Sequence, residues 1–362
     1  MSPDALLSPI RAEQMARSLL HWFGEHKRDM PWRGATPYGV WVSEIMLQQT
    51  QVATVIPFYL RFMERFPTVE ALASTPIDEV LKYWAGLGYY ARARNLHRAA
   101  QIVTNEHHGI VPNTPEMIET LPGIGRYTSG AILSIAYGLP RPLVDANVIR
   151  VLSRLFGLSG DPKSQANQAL LWGLAERMVP QQNPGDFNQS LMELGALVCS
   201  PAEPQCARCP LYSECVAGHL PDPTVLPEIP AGRATISLIH SAALIRNFKG
   251  EFLLLQRPLE GLWGGLWEFP RVTCTAGESP EEAAKRAGRE TVGLPLEVGI
   301  RVGKVKHAVT HHKITLYGYL ASPVHTQLQL NPVAGRDLAW IPPDAIEQYA
   351  LSSPPLVSGK SM

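Results

Sequence analysis

Apolar and polar positions follow two different periods in the two halves of this chain. In the first half, apolar residues recur every three to four positions, as Met15, Leu19 and Trp22 do, and this spacing predicts helices. In the second half, short apolar runs bounded by turn residues predict strands, among them 301–306 and 314–320, around a single helix at about 280–292. Four prolines between 220 and 232 predict a semi-rigid linker. The pattern therefore predicts a mainly α domain, a linker and an α+β domain, at 1–219, 220–233 and 234–362.

A single acid follows a predicted helix start in the first domain. Ser43 is a candidate N-cap, which places Glu44 in the first helical turn, where a carboxylate interacts favourably with the helix dipole. Apolar neighbours would remove water from the Glu44 carboxyl group, raise its pKa and make it a proton donor near neutrality. The side chains of Gln48, Gln49 and Thr50 follow. Such neutral groups can hydrogen-bond base edges or simply form an exposed polar face.

Two glycines predict a tight hairpin between helices in the segment 121–127, Leu-Pro-Gly-Ile-Gly-Arg-Tyr. Gly123 and Gly125 allow a positive φ and close approach of the backbone to a ligand, and a glycine at a helix C-cap is the simpler interpretation. The following helix is predicted over Arg126–Tyr137. The N–H groups of its first turn would face outward, which suits a phosphate.

Two predicted loops place polar side chains next to helices. Arg28, Trp32 and Arg33 lie in a loop that contains a proline, where the latter two could line a cleft. Asp145 follows a second loop rich in proline and begins the helix that carries Asn147. A lone Asp at this position usually acts as an N-cap.

A third loop combines apolar, aromatic and basic residues. The turn at 86–88 would present Leu87 and Tyr89 at its tip, with Arg92 and Arg94 close behind. Kinking a DNA duplex requires a wedge that unstacks a base step and cations that hold phosphates. Packing in the protein core explains the aromatic residues equally well.

Four of the five cysteines are crowded at the end of the first domain. Their spacing is Cys199-x6-Cys206-x2-Cys209-x5-Cys215, so four thiolates can converge on one metal centre. In a reducing compartment such a cluster is more often a metal site than a disulfide framework. By chemistry alone the site could hold tetrahedral zinc or an iron–sulfur cluster.

Composition and charge describe an ordinary soluble protein. Of the 362 residues, 45% are apolar and 18% are charged, and 32 basic residues balance 32 acidic ones. Binding to nucleic acid would therefore depend on local placement of charge rather than on bulk attraction. No apolar run is long enough to cross a bilayer, and the first ten residues lack the plan of a signal peptide. We expect a cytoplasmic protein with no membrane partner.

These motifs resemble the helix-hairpin-helix DNA glycosylases. The hairpin, the Gly/Pro loop and Asp145 occur in that family's order, and the cysteine spacing is similar to the single iron–sulfur loop of the endonuclease III and MutY branch. The resemblance implies that the hairpin glycines, Gly123 and Gly125, grip the DNA backbone and that Asp145 lies at the sugar under attack. It also implies a [4Fe–4S] cluster held by Cys199, Cys206, Cys209 and Cys215.

The blocks around Glu44 and Tyr89 are similar to the adenine-specific MutY branch. There the matching Glu is the general acid and the Asp matching Asp145 stabilises the sugar cation. Family members that also nick the strand carry Lys, which forms a Schiff base, where this chain has Tyr127. The resemblance therefore implies an enzyme that removes a base and leaves an abasic site. It also places six side chains in or near an adenine pocket: Tyr127, Asn147, Arg28, Trp32, Arg33 and Gln189.

The order of strands and helix after the linker resembles a Nudix fold, but the catalytic motif of that fold is altered. Its Arg-Glu-x-x-Glu-Glu core is here Arg286-Ala-Gly-Arg-Glu-Thr291, so two of three metal-binding glutamates are replaced and pyrophosphatase activity is not expected. In the MutY branch such a domain recognises 8-oxoguanine opposite the target adenine. The family's Phe-Ser-His recognition loop falls on Val309, Thr310 and His311, and Val309 departs from that pattern.

Together, the motifs predict a monomeric adenine DNA glycosylase of base excision repair. Its expected partner is double-stranded DNA that contains A:8-oxoguanine or A:G mispairs. One alternative is a glycosylase for another mismatch, such as T:G. A second alternative is a DNA-binding scaffold that uses the hairpin, the wedge and the cysteine cluster without turnover.

Overall fold

Helices form the first part of the computed structural model, as the spacing of apolar residues predicts. The structure describes residues 2–230, 235–258, 264–309, 312–325, 330, 336–349 and 351–352. The helices of this part are α1 (Pro3–Leu6), α2 (Pro9–His26), α3 (Pro37–Leu47), α4 (Val52–Arg65), α5 (Val69–Ser74), α6 (Ile77–Trp84), α7 (Ala91–Glu106), α8 (Pro115–Ile118), α9 (Arg126–Ile135), α10 (Ala146–Phe156), α11 (Gln165–Met178) and α12 (Pro184–Leu197).

Proline residues and capping side chains define where helices begin. α2 begins at Pro9 after Ser8, and α3 begins at Pro37 after Thr36; in both, the capping hydroxyl accepts a backbone hydrogen bond. Proline suits the first helical position because the N–H group that it lacks would have no partner inside the helix. None of the helices among the described residues is long and apolar enough to cross a membrane.

One apolar core holds four of these helices together. Leu19 of α2, Leu152 of α10, Leu174 of α11 and Leu191 of α12 all belong to it and are fully buried. Tyr127, in the first turn of α9, packs against the same core. The N-termini of α9 and α10 are therefore fixed by apolar burial, which is the dominant favourable term in folding.

The chain divides into two compact units, residues 1–77 with 92–231 and residues 78–91 with 232–362. The first part of the proline-rich segment packs on the helical unit, since Leu226 is buried and its carbonyl oxygen accepts a hydrogen bond of 2.8 Å from Arg154 Nε. The domain bounds of 1–219 and 234–362 stay a prediction.

Two sheets and a helix form the C-terminal part. The elements are β1 (Ile236–Ile245), β2 (Phe252–Gln256), β3 (Trp267–Glu268), β4 (Arg271–Thr273), α13 (Pro280–Val292), β5 (Leu296–Val309), β6 (His312–Pro323) and β7 (Leu338–Ile341). One sheet has the strand order β4-β1-β6-β5 and the other has the order β3-β2-β7. β1 and β6 are parallel, and the other pairs are antiparallel.

The second half of strand β1 is buried on both faces. Ala242 and Leu244 join a core with Phe269, while Ala243 and Ile245 join a second core with Val292 of α13. Successive side chains of a strand point to opposite faces, so this alternation places β1 between two layers.

Several boundaries differ from those predicted. α9 ends at Ile135 rather than at Tyr137, because the chain leaves the helix before Gly138, which has a φ of 65°. The strands predicted at 301–306 and 314–320 are longer and form the hairpin of β5 and β6. α13 has the predicted bounds.

Candidate active site

A pocket of about 530 Å³ lies within the helical unit. Its volume falls in the range of about 300–1,000 Å³ that is usual for small-molecule sites. Polar side chains from α3, α9, α10 and α12 and from the 28–33 loop meet there. Nine of the predicted site residues line it: Arg28, Trp32, Arg33, Glu44, Thr50, Tyr127, Asp145, Asn147 and Gln189.

Glu44 lies in the second half of α3, not in its first turn. The predicted N-cap at Ser43 is wrong, because Thr36 caps α3 and Pro37 begins it. Ser43 is instead fully buried and donates a 2.7 Å hydrogen bond to the carbonyl oxygen of Val40. The helix dipole of an N-terminus therefore does not act on Glu44.

The Glu44 carboxyl group is buried beside a phenol. Glu44 is only 4% exposed, and Tyr127 Oη donates a 2.7 Å hydrogen bond to its Oε2. Burial is the largest cause that raises the pKa of Glu44 to about 7; the Tyr127 hydrogen bond acts in the opposite direction, and the nearby Asp145 acts in the same direction as burial. The raised pKa that the apolar neighbours predicted is thus present, although the position of Glu44 in its helix was predicted wrongly.

Asp145 is both an N-cap and a wall of the pocket. Its Oδ1 accepts a 2.7 Å hydrogen bond from the N–H of Val148, and its Oδ2 accepts one of 3.0 Å from Asn147 Nδ2. Burial raises the pKa of Asp145 above its ordinary value, and these hydrogen bonds and the charge of Arg150 act in the opposite direction without cancelling that effect. Asp145 has more such contacts that favour a carboxylate than Glu44 has, so it is the better candidate of the two for the ionised acid.

A charged network forms the wall opposite these acids. Glu193 accepts ion pairs from Arg28 Nε at 2.7 Å and from Arg33 Nη2 at 2.5 Å. Arg33 Nη1 also donates to Gln189 Oε1 at 2.5 Å, and Gln189 Nε2 donates to the carbonyl oxygen of Gly185 at 3.2 Å. Arg33 therefore fixes the orientation of the Gln189 amide.

Glu193 was missed in the sequence, although it lines the pocket and is only 3% exposed. One available signal was its position four residues after Gln189, which places the two side chains on the same face of α12. Another was the pair of arginines in the 28–33 loop, since buried arginines are usually paired with acids.

At the hairpin, Gly123 takes the positive φ that the sequence allowed and Gly125 does not, and neither glycine is among the residues that line the pocket. Gly125 is the N-cap of α9, which begins at the predicted Arg126. Gly123 has a φ of 83°, and a Cβ atom there would lie 2.9 Å from the Cβ of Asn95. A larger residue at Gly123 would strain the turn and push against α7.

The remaining predicted site residues of the helical part differ in how exposed their side chains are. Gln48 Nε2 donates to Thr128 Oγ1 at 3.4 Å, and Gln49 is exposed with a φ of 58°. The prediction that Leu87 stands at an exposed tip is wrong, since it is 5% exposed, whereas Tyr89 is 44% exposed. Apolar burial of Leu87 is the alternative that the sequence left open. The predicted contacts Thr310 and His311 lie outside the described residues.

The four clustered cysteines line one pocket, next to Arg154. Burial, together with the charges of Cys199, Cys215 and Cys206, raises the pKa of the Cys209 thiol to about 12. All are free thiols. Among the described residues, however, no three His, Cys, Asp or Glu side chains lie close enough to hold a single metal ion.

Comparison with known proteins identifies the family. The family model for HhH-GPD superfamily base excision DNA repair proteins matches residues 42–177, and that for the NUDIX domain matches residues 241–355. The adenine DNA glycosylase of Homo sapiens is 38% identical, over 93% of this chain and 71% of that protein. The chain belongs to the adenine DNA glycosylase family. A family member from Schizosaccharomyces pombe is 34% identical, over 94% of this chain and 88% of that protein.

Two solved structures each cover a little over half of this chain. A thermostable thymine-DNA glycosylase has a TM-score of 0.52 and 34% identity, over 56% of this chain and 94% of that chain. A trapped endonuclease III–DNA covalent intermediate has a TM-score of 0.51 and 22% identity, over 59% of this chain, and this likeness shows the fold. The two-part architecture of a helical glycosylase domain and a Nudix-like domain is thus confirmed.

Proposed function

We propose that this protein removes adenine from double-stranded DNA, opposite 8-oxoguanine or guanine, by hydrolysis of the N-glycosidic bond. The observation that carries the proposal is one pocket that holds a buried Glu44 and a partly buried Asp145, of which Asp145 accepts more hydrogen bonds that favour its charged form. Two acids held in different protonation states are the requirement for acid catalysis combined with cation stabilisation. The identity to adenine DNA glycosylases over more than nine-tenths of the chain supports adenine as the base.

Glu44 is the proposed general acid. Adenine leaves poorly as an anion, so its N7 must be protonated as the C1′–N9 bond breaks. A neutral carboxyl group with a pKa near 7 can donate that proton at physiological pH. Tyr127 holds the Glu44 carboxyl group in place through its hydroxyl.

Asp145 is the proposed stabiliser of the sugar cation. Loss of adenine leaves an oxocarbenium ion, and a carboxylate about 4 Å away attracts it by about 4 kcal/mol at an effective dielectric near 20. The hydrogen bonds from Val148 and Asn147 favour the ionised form of Asp145. Water then adds at C1′ and gives an abasic site.

The chain has no amine at the position where strand-nicking relatives form a Schiff base. Tyr127 occupies that position, and its phenol is buried and hydrogen-bonded to Glu44. The reaction therefore ends at the abasic site, and strand cleavage requires added alkali.

The charged wall of the pocket is the proposed reader of the base. Arg33 holds Gln189, and an oriented amide can hydrogen-bond an adenine edge. The base must first leave the stack, at a cost of a few kcal/mol. The exposed Gln49 and Tyr89 and the N-terminus of α9 are the proposed contacts to the duplex.

The four cysteines line one pocket, and four thiolates are the ligand set that a [4Fe–4S] cluster takes. We propose that Cys199, Cys206, Cys209 and Cys215 hold such a cluster. Its role would be to cross-link the loop that follows α12.

The Nudix-like domain is the proposed reader of 8-oxoguanine. Its remaining motif glutamate, Glu290, is paired at 2.9 Å with Arg286, which also binds Glu278. These contacts favour a structural role for Glu290 over metal binding. We keep Thr310 and His311 as the proposed contacts to the lesion.

Duplexes that carry A:8-oxoguanine, A:G, A:T, T:G or C:8-oxoguanine test the proposal directly. After incubation and alkali, we expect cleavage of the adenine strand of A:8-oxoguanine and A:G only. The similarity to a thymine-DNA glycosylase makes the T:G duplex the informative arm. Cleavage of T:G without cleavage of either adenine mispair would overturn the assignment of the base.

Metal analysis tests the cluster. We expect the purified protein to contain iron and to be brown, because it absorbs broadly in the visible range. Cys209→Ser should lose both the iron and this absorption. Zinc without iron in protein purified without oxygen would contradict the proposal. The lone Cys274 in the C-terminal part provides the control substitution.

A further inference from the structure

The end of the helix that carries Glu44 is held by one side chain from another helix. Arg92, in the first turn of α7, donates from Nη1 to the carbonyl oxygens of Ile45 at 2.9 Å and Met46 at 2.8 Å. The same nitrogen contacts the carbonyl oxygen of Gln48, and Nη2 donates to Thr50 Oγ1 at 3.2 Å. One guanidinium group therefore binds four groups along six residues of chain.

The position suits a guanidinium group for two physical reasons. The last carbonyl groups of a helix have no partner inside it, and they require donors from elsewhere. The C-terminus of a helix also carries partial negative charge, which a cation stabilises. Arginine offers a planar fork of donors that a lysine cannot reproduce.

The turn that Arg92 binds is conformationally unusual. Gln49 has a φ of 58°, in the left-handed region that residues other than glycine rarely adopt. Arg92 contacts the chain on both sides of it, at Gln48 and Thr50. Thr50 and the first residues of α4 line the catalytic pocket. The guanidinium group thus fixes the shape of one pocket edge.

We propose that Arg92 is a positioning residue for the base-excision reaction. It sets the depth at which α3 presents the Glu44 carboxyl group, one residue before Ile45, and it holds the 48–51 turn in its left-handed form. Arg92 does not line the pocket among the described residues, so it acts through α3 and the turn. The proposal rests on the function proposed above.

The expected consequence is a loss in the chemical step. Misplacement of a catalytic group by about 1 Å can slow a reaction by about 100-fold. Without Arg92, the carbonyl groups of Ile45 and Met46 would bind water and α3 could shift. Binding of the duplex should change much less than the rate, because the turn that Arg92 holds carries only one of the proposed DNA contacts, Gln49.

The test compares Arg92→Ala with Arg92→Lys and with Arg98→Ala. Arg98 is exposed on the same helix and provides the matched control. With enzyme in excess over A:8-oxoguanine duplex, we expect Arg92→Ala to slow excision by about 10- to 100-fold. Affinity for product DNA should stay within about threefold, and added guanidinium ion should restore part of the rate to Arg92→Ala alone.

Thr50→Val provides a milder variant that removes one of the four contacts and keeps the side-chain volume. It should slow excision by less than Arg92→Ala does. A wild-type rate in Arg92→Ala would overturn the proposal. The proposal would also be overturned if Arg92→Ala lost excision rate only in proportion to its loss of folded protein and guanidinium ion restored none of the rate.

Hydrogen exchange separates this proposal from the proposed function. In Arg92→Ala, amides of residues 45–51 should exchange faster than in the wild type, while those of α10 stay unchanged. If the wild type excises no adenine, the proposed function fails, and faster exchange still supports the positioning role. If excision occurs and exchange at 45–51 is unchanged in the variant, the positioning role fails alone.

Discussion

Two buried glutamates in different parts of the molecule have opposite acidities. Glu44 lines the pocket of the helical unit and is 4% exposed, and Glu268 lies on β3 of the C-terminal part and is 5% exposed. The pKa of Glu44 is raised to about 7, whereas the pKa of Glu268 is lowered. Equal burial therefore does not set the protonation state of a carboxyl group.

The difference comes from the partners of each group. Burial acts to raise the pKa of Glu268, but three guanidinium groups outweigh it: Arg271 at 2.8 Å, and Arg257 and Arg336 at 2.6 Å each. Glu44 accepts a hydrogen bond from the neutral Tyr127 and lies near Asp145. The three guanidinium groups keep Glu268 ionised in a structural role. Glu44, beside a phenol and a second acid, can hold a proton.

The largest expected effect is on catalysis at the Glu44 side of this comparison. Glu44→Gln keeps the size of the side chain and an acceptor for Tyr127 but cannot donate the proton to adenine. We expect single-turnover excision to fall by about 10²- to 10⁴-fold, the usual contribution of a general acid. The affinity of Glu44→Gln for product DNA should be unchanged. The control variant Glu64→Gln, at an exposed residue of α4, should excise adenine at the wild-type rate.

The next effect is on stability at the Glu268 side. Glu268→Gln would leave three arginines around a neutral amide, and breaking a buried ion pair in this way costs about 3–5 kcal/mol. Denaturant unfolding at pH 7 measures this loss. Because the lowered pKa of Glu268 gives stability above its unfolded pKa, the loss should shrink as pH falls below that value. If Glu268→Gln were as stable as the control variant Glu297→Gln, at an exposed residue, this result would contradict the account.

The same substitution at Glu44 should change the free energy of unfolding in the opposite direction. The folded pKa of about 7 exceeds the ordinary 4.5, so stability is full below pH 4.5 and is lost as pH rises through 7. Glu44→Gln removes that loss, and we expect it to be more stable than the wild type by about 3 kcal/mol at pH 8. Below pH 4.5 the two proteins should unfold alike. A destabilised variant at pH 8 would show that Glu44 is paired as Glu268 is.

The smallest effect concerns the hydrogen bond that distinguishes the Glu44 shell. Tyr127→Phe removes a donor that favours the charged form, so the pKa of Glu44 should rise. A hydrogen bond of about 0.5–1.5 kcal/mol corresponds to a shift of up to about one pH unit in the alkaline limb of the rate profile. A shift to lower pH would contradict the assignment of the donor.

Local rules predicted the elements whose cause is local. The start of α9 at Arg126, the cap at Asp145 and the bounds of α13 follow from glycine, aspartate and proline at helix ends. The spacing of the cysteines likewise predicted a single site. Ser43 misled because Thr36 and Pro37 form a stronger helix start seven residues earlier.

Tertiary contacts explain what was missed. Glu193 binds Arg28, which is 165 residues away, and Arg92 binds the end of α3, about 45 residues away. A contact between residues so far apart leaves no pattern in a single sequence from which it could be predicted. Leu87 was misplaced for the same reason, since burial depends on the packing of distant segments.

The most direct test of the central claim is the pH dependence of adenine excision. Single-turnover rates are measured on the A:8-oxoguanine duplex from pH 5 to pH 9, with enzyme in excess. A neutral Glu44 as proton donor predicts a fall of tenfold per pH unit above a midpoint near 7, absent in Glu44→Gln. A rate that stays constant to pH 9, or the same fall in Glu44→Gln, would contradict it.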